Sequence, residues 1–185
     1  LHVVQGYTPA LGGSEYRVQR ISEIMVREYG DTVTVLCPDG NCCDDFNLPE
    51  RPRLPAGTEI INGVRVSRGW TMRHGSTQLD RVITWAGDGE IAAHLRHIRF
   101  GPRLPLLPWQ LLTGNWDVVM ATTFPCAQMP VSAWLKPLAG YPLVLVGAYH
   151  DNVPLHRHPY TWHYARLADA DVAHTAFERD LAIRQ

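Results

Sequence analysis

The sequence lacks the charge surplus and the long apolar runs that mark several classes of protein. Its 185 residues carry 17 Lys and Arg against 18 Asp and Glu, which gives a net charge of -1. Because phosphate contacts need surplus basic residues, we predict no nucleic-acid binding. The chain has no uninterrupted run of about 18 apolar residues, so no segment is predicted to span a membrane. Its first residues show no basic segment before a long apolar one, so no secretory signal is predicted.

Cysteine is also scarce, and the four that are present form no C-x-x-C pair: Cys37, Cys42, Cys43 and Cys126. This number and spacing argue against a disulfide framework, a zinc ribbon and a thioredoxin-like motif. Disulfides persist mainly in oxidising compartments. We therefore expect free thiols and a cytoplasmic protein.

What the chain does contain is an alternation of short β-branched runs and helical patterns, which is typical of βαβ units. Strands are predicted at 1–5, 32–36, 59–61, 64–66, 117–121, 143–146 and 171–174, and helices at 14–29, 90–98, 104–112, 127–139, 160–167 and 177–185. Asn62 and Gly63 join two strands as a hairpin turn. We predict one Rossmann-like α/β domain over 1–185, with a doubly wound, mainly parallel sheet and helices on both faces.

The loop after the first strand is the first candidate site. It contains Gly12 and Gly13, and Ser14 is a plausible N-cap for the helix that follows. Two residues without side chains allow backbone N–H groups to approach a phosphate closely at a helix N-terminus. The spacing matches neither G-x-G-x-x-G nor a P-loop, so a simple tight turn stays an equal alternative.

The second candidate site follows the strand at 143–146, where His150, Asp151 and Asn152 stand in a row. Parallel sheets bind ligands beyond the carboxyl ends of their strands. A histidine there can hold or polarise a substrate oxygen near neutral pH. The alternative is a histidine that only caps the following turn.

Further histidines, His156 and His158, extend this segment and suggest a metal site together with His150 and Asp151. Zinc ligands on helices favour regular spacings. Two prolines interrupt the segment, so we favour polar loop residues and predict no metal cofactor. A metal-dependent hydrolase stays the weaker alternative.

Aromatic residues could supply stacking surfaces for a sugar or a base, and Tyr7 and Phe124 are the candidates closest to the predicted loops. Core packing is the alternative use of such rings. The stretch 103–109 mixes Arg, aliphatic residues and Trp. It leaves open a peripheral contact with the inner face of a membrane, against a buried helix.

Taken in order, several of these segments resemble glycosyltransferase family 4. The likeness lies in the 7–15 loop with its Gly-Gly-Ser-Glu sequence, the strand at 31–36, and the stretches 61–66, 117–119, 144–151 and 170–175. Each motif is weak alone, and the ordered set covers nearly the whole chain. One departure is the segment after the strand at Asp117, where many relatives carry a histidine and this chain has 121–124 without one.

The resemblance implies the two-domain GT-B fold, of which this chain is the N-terminal, acceptor-side domain without the donor-binding C-terminal domain. It implies that Gly12 and Gly13 face the donor diphosphate and that His150 is the catalytic-cleft histidine beside the transferred sugar. Tyr7, Glu15, Phe124, Asp151 and Asn152 are then expected on the acceptor side of the cleft.

The implied activity is a hexosyl transfer from a nucleotide diphosphate sugar to a hydroxyl of a sugar, a lipid-linked or a small-molecule acceptor. Retention of configuration is expected, and the isolated domain is expected to be inactive. The main alternative is a non-catalytic module that binds a carbohydrate or lipid-linked ligand through Tyr7, Phe124 and the Arg-rich stretch 68–103.

Overall fold

The computed structural model describes residues 1–10, 12–40, 48–150 and 153–184. Its strands are β1 (His2–Val3), β2 (Thr34–Pro38), β3 (Gly57–Ile61), β4 (Val64–Gly69), β5 (Val119–Ala121), β6 (Leu143–Val146) and β7 (Ala170–Val172). Its α-helices are α1 (Gly13–Ile24), α2 (Ser76–Ala86), α3 (Glu90–Arg99), α4 (Leu107–Thr113), α5 (Gln128–Ala139), α6 (Pro159–Leu167) and α7 (Ala176–Ile183).

All seven strands form one sheet in the order β3-β4-β2-β1-β5-β6-β7. Every neighbouring pair is parallel except the hairpin of β3 and β4. The chain proceeds from β1 to one side of the sheet and then returns to β5 on the other side. This arrangement confirms the predicted Rossmann-like, doubly wound α/β fold.

The register of the strands divides the core between the two faces of the sheet. Val3 lies opposite Leu36, and both belong to a cluster with residues of α4, α5 and α6. Val35 lies opposite Val66, and these two belong to a second cluster with Val18 of α1. Full burial of one such side chain contributes about 1.5–3 kcal/mol. Helices therefore cover both faces, and each face is held by its own apolar cluster.

The first helix follows the sequence pattern with two differences. It ends as a π-helical turn over Met25–Tyr29, and Gly30 closes it with a left-handed φ of 73°. Its N-cap is Gly12, whose extended backbone starts the helix, and not Ser14. Because Gly12 has no side chain, the helix begins without a side-chain hydrogen bond to its first N–H groups.

Helix α2 was not expected from the sequence. It lies between Gly75 and Gly87, which both have positive φ, and none of its residues is buried. It packs on α3, and none of its residues belongs to the two apolar clusters of the core. Within the described residues, no helix has the length and apolar character needed to cross a membrane.

Candidate binding site at the carboxyl edge of the sheet

The carboxyl ends of β1, β5, β6 and β7 lie side by side, since these strands are parallel neighbours. The segments that follow them share one edge of the sheet, which we call the carboxyl-edge site. The strand order reverses between β1 and β5, and ligands of such folds bind in the crevice at this point. The geometry of the carboxyl-edge site therefore decides which chemistry the fold can support.

The N-terminus of α1 is open to solvent at this edge. Gly12 and Gly13 are both exposed, and a Cβ atom on Gly13 would meet no atom within 4 Å. The carbonyl of Gly12 accepts the N–H of Tyr16 at 2.9 Å, so the helix starts regularly. The first N–H groups of a helix have no intrahelical partner and carry partial positive charge. An anionic group can therefore approach the backbone here.

The side chain of Glu15 packs against two glycines of the preceding loop. A Cβ atom on Gly12 would lie 2.1 Å from Oε2 of Glu15, and one on Gly6 would lie 3.1 Å from its Cγ. The Glu15 side chain is thus folded back against the loop and is 9% exposed. Its carboxylate stands in the first turn of α1, where it offsets part of the positive potential of the helix.

Tyr7 and Phe124 lie in the core. Tyr7 is fully buried beside Val4 and Val18, and burial raises the pKa of its phenol to about 12. Phe124 is 3% exposed and its ring centroid is 4.5 Å from that of Tyr149. The structure therefore places both rings in the core, which is the alternative left open above, and not on the acceptor side of a cleft.

Arg17 joins three elements at the carboxyl edge, a role that the sequence analysis did not predict. Its guanidinium group contacts the ring of His174 after β7, and Nη2 donates to Oγ1 of Thr122 after β5 at 3.4 Å. The Thr122 hydroxyl in turn donates to the carbonyl of Val146 at 3.2 Å. Partial burial lowers the pKa of Arg17, while Glu178 and Glu15 oppose this shift. The one sequence feature that could have pointed to Arg17 is its position one helical turn after Gly13, near the N-terminus of α1.

His150 is an exposed residue in the segment that follows β6. Its backbone N–H donates to Nδ1 of His156 at 2.9 Å, and the two rings lie 5.5 Å apart. Burial lowers the pKa of His156 to about 4, so His156 is neutral at pH 7 and can accept this bond. His156 therefore fixes the backbone that presents His150. Asp151 and Asn152 lie outside the described residues.

The histidines of this segment serve the local structure. His156 accepts the N–H of His150, and Nδ1 of His158 accepts the N–H of Tyr160 at the start of α6. Over 1–10, 12–40, 48–150 and 153–184, no three His, Cys, Asp or Glu side chains are grouped so that they could hold a metal ion. The metal-dependent hydrolase gains no support from this part of the chain.

Comparisons of the sequence with protein-family models and with curated proteins, and of the fold with solved structures, find no match. The fold defines the protein as a Rossmann-like α/β domain, and the carboxyl-edge site is where such a domain meets its ligand. The functional argument accordingly rests on the chemistry of that edge.

Proposed function

We propose that this chain is the acceptor-side half of a retaining glycosyltransferase that moves a sugar from a nucleotide diphosphate sugar to a hydroxyl acceptor. The observation that carries the proposal is the order of β1, β5 and β6 in the sheet. Because of that order, the Gly12-Gly13 loop and His150 reach the same edge, on either side of the point where the strand order reverses.

The N-terminus of α1 would stabilise the leaving diphosphate. Its free N–H groups and its dipole favour negative charge, and the open face of Gly13 admits a phosphate oxygen to the backbone. Arg17 adds a cation one turn further along the same helix. In phosphoryl and glycosyl chemistry, preorganised dipoles and cations aimed at developing charge supply much of the rate enhancement.

His150 would hold a hydroxyl of the transferred sugar. Its ring is exposed, and its backbone is fixed by the hydrogen bond to His156. Holding both reacting groups in a fixed geometry turns a bimolecular step into an effectively unimolecular one. In the family that the sequence resembles, the donor base is held by a second domain, so this half supplies orientation and diphosphate contacts only.

The proposal is tested by following the backbone amides of the full chain by NMR during titration with UDP, GDP and pyrophosphate. We expect saturable shifts at Gly12, Gly13 and Tyr16, shared by all three compounds because the diphosphate is their common part. Arg17→Met should weaken this binding about tenfold, as expected for the loss of one charge-assisted contact. Arg179→Met, which removes an exposed arginine paired with Asp180, is the matched control.

Absence of saturable shifts at these amides, or equal binding by the Arg17→Met chain, would overturn the proposal. A second measurement mixes the purified chain with nucleotide diphosphate sugars and a hydroxyl acceptor. No transfer is expected, since the proposal assigns the contacts to the donor base to a second domain. Turnover within the usual enzymatic range of about 1–10³ s⁻¹ would contradict the division of the site between two domains.

A further inference from the structure

A cavity of about 510 Å³ lies next to the β1 loop, on the side away from His150. Its walls are formed by Thr8 and Pro9 of the loop, by the 54–56 segment, and by residues of the β3–β4 hairpin, including Glu59 and Arg68. Ligand sites usually measure about 300–1,000 Å³, so this cavity has room for one small ring. It is separate from the open N-terminus of α1.

The charged groups of this cavity neutralise each other. Arg68 is buried, and its Nε donates to Oε1 of Glu59 at 3.0 Å. Its two Nη atoms contact the carbonyl of Thr8 and Sγ of Cys37. All three nitrogens of the guanidinium group are therefore engaged within the protein. An incoming phosphate or carboxylate would meet no surplus positive charge.

The polar groups that face the space can bind hydroxyl groups. The side chain of Glu59 is 53% exposed, and its carboxylate is an acceptor for hydroxyl donors. Thr58 is exposed beside it and offers a hydroxyl group that both donates and accepts. β3 is also the edge strand of the described sheet, so part of its backbone has no partner strand.

The opposite walls are apolar and rigid. Pro9 and Pro55 contribute ring surfaces, and Leu54 and Ile61 contribute aliphatic side chains. A cyclic polyol has the matching character, because its C–H groups form an apolar face and its hydroxyl groups lie around the edge. A wholly apolar ligand would cover the exposed part of the Glu59 carboxylate without offering it a hydrogen-bond donor, which disfavours such a ligand.

We infer that this cavity binds a neutral, hydroxyl-bearing ring, either a monosaccharide or a cyclitol. The inference depends on the cavity and its charges, and it is independent of diphosphate binding at α1. Only one extension rests on the proposed function: in a transferase, this cavity would hold the part of the acceptor that does not react, since Thr8 and Pro9 belong to the same loop as Gly12.

The test titrates the full chain with glucose and with myo-inositol, and follows the backbone amides by NMR. We expect saturable shifts at Thr58, Glu59 and Ile61 with a dissociation constant in the millimolar range, as is usual for one small neutral ligand. Inorganic phosphate should leave these amides unchanged. A shift by phosphate and not by the polyols would overturn the inference.

Two variants separate binding from folding. Ala56→Trp places an indole ring in the cavity without altering any charge. It should weaken binding at least about tenfold, because the ring takes the space that the ligand would occupy. Ile60→Trp is its control, since Ile60 is 65% exposed and alternates with Glu59 along β3. Equal binding by the wild-type and Ala56→Trp chains would contradict the inference.

The charge is probed by Glu59→Gln, with Glu28→Gln as the matched control. Both carboxylates pair with an arginine and are similarly exposed, at 53% for Glu59 and 52% for Glu28. Glu59→Gln should weaken polyol binding about threefold to tenfold, since charged acceptors bind hydroxyl groups more strongly than neutral ones. Diphosphate shifts at Gly12 should persist in this variant, so failure of either proposal can be recognised separately.

Discussion

The loop after β1 and the segment after β6 reach the same edge of the sheet, but they consist of different types of residue. After β1, small residues leave the backbone of Gly12 and Gly13 open to solvent. After β6, Tyr149 and His156 pack against Phe124, and His150 is exposed between them. The first segment offers backbone groups, whereas the second offers one imidazole on a rigid aromatic support.

Because of this difference, mutations in the loop after β1 and in the segment after β6 should have different effects. Changes in the aromatic support should lower the stability of the fold, because those rings are buried together. Changes in the glycine loop should alter binding, because that backbone faces solvent. The predictions below test this contrast, beginning with the largest expected effect.

Phe124→Ala should lower the free energy of unfolding by about 3–5 kcal/mol, the usual cost of deleting a buried aromatic side chain. The ring lies 4.5 Å from Tyr149, 5.2 Å from His156 and 5.3 Å from Trp162. Urea denaturation of the purified variant measures the change. Tyr16→Ala is the control, because Tyr16 is 65% exposed on α1 and should change stability by about 0.5 kcal/mol or less. If Phe124→Ala lowers the free energy of unfolding as little as the control does, the ring does not serve the core and belongs to a binding surface instead.

Acidification should lower the free energy of unfolding, because a buried histidine must take up a proton. Burial lowers the pKa of His97 from 6.5 to about 4, and its Nδ1 bonds the carbonyl of Ala93 at 2.8 Å. Between these two pH values the unfolded chain binds a proton that the folded protein does not. The stabilisation is therefore complete above about pH 6.5 and is lost as the pH falls towards 4, by on the order of 3 kcal/mol.

Urea denaturation at several pH values between 7.5 and 4.5 measures this loss. His97→Gln should flatten the dependence, whereas His163→Gln should leave it unchanged, because His163 is exposed. Burial also lowers the pKa of His2 and His156 to about 4, so part of the slope should survive in the His97→Gln chain. An unaltered slope in that variant would contradict the assignment to His97.

Gly12→Ala should weaken diphosphate binding about tenfold, a change near 1.4 kcal/mol. The new methyl group would displace the Glu15 carboxylate from its place 2.1 Å away, and that charge would then compete with the ligand. Gly89→Ala is the matched control, because Gly89 is the N-cap of α3, outside the carboxyl-edge site, and its Cβ atom would make only an ordinary contact of 3.8 Å with the carbonyl oxygen of Ala86. The double variant Gly12→Ala/Glu15→Ala should recover the binding, since the displaced carboxylate is absent. Failure of this rescue would mean that the loop backbone itself had moved.

His150→Ala should change stability least, by no more than about 0.5 kcal/mol, since an exposed side chain is removed. The link to His156 uses the backbone N–H of His150 and survives the substitution. If the proposed function is correct, the transfer activity of the complete enzyme should nevertheless fall strongly. A large loss of stability without any effect on activity would assign His150 to the structure of the turn.

Local signals predicted much of the fold. The alternation of strands and helices and the Asn62-Gly63 turn depend on neighbouring residues, and both appear as expected. α2 escaped prediction because Val82, Ile83 and Thr84 in its second half are β-branched residues with low helix propensity. Gly12, and not Ser14, is the N-cap because its backbone is extended directly before the helix, whereas Ser14 already lies within α1.

Less of the candidate site than of the fold could be predicted from the sequence. The positions of Gly12 and His150 followed from their place after predicted parallel strands. Arg17 and His174 are 157 residues apart, and no local pattern could have paired them. The burial of Tyr7 and Phe124 likewise depended on which face of the sheet the helices covered.

By itself, the sequence determined that the chain forms a doubly wound α/β sheet, because hydrophobic periodicity and turn residues act within a few positions of each other. The tertiary structure alone decided which side chains face the carboxyl edge and which fill the core. That choice depends on strand order and register, which place distant residues in contact and thereby set their exposure, their partners and their pKa.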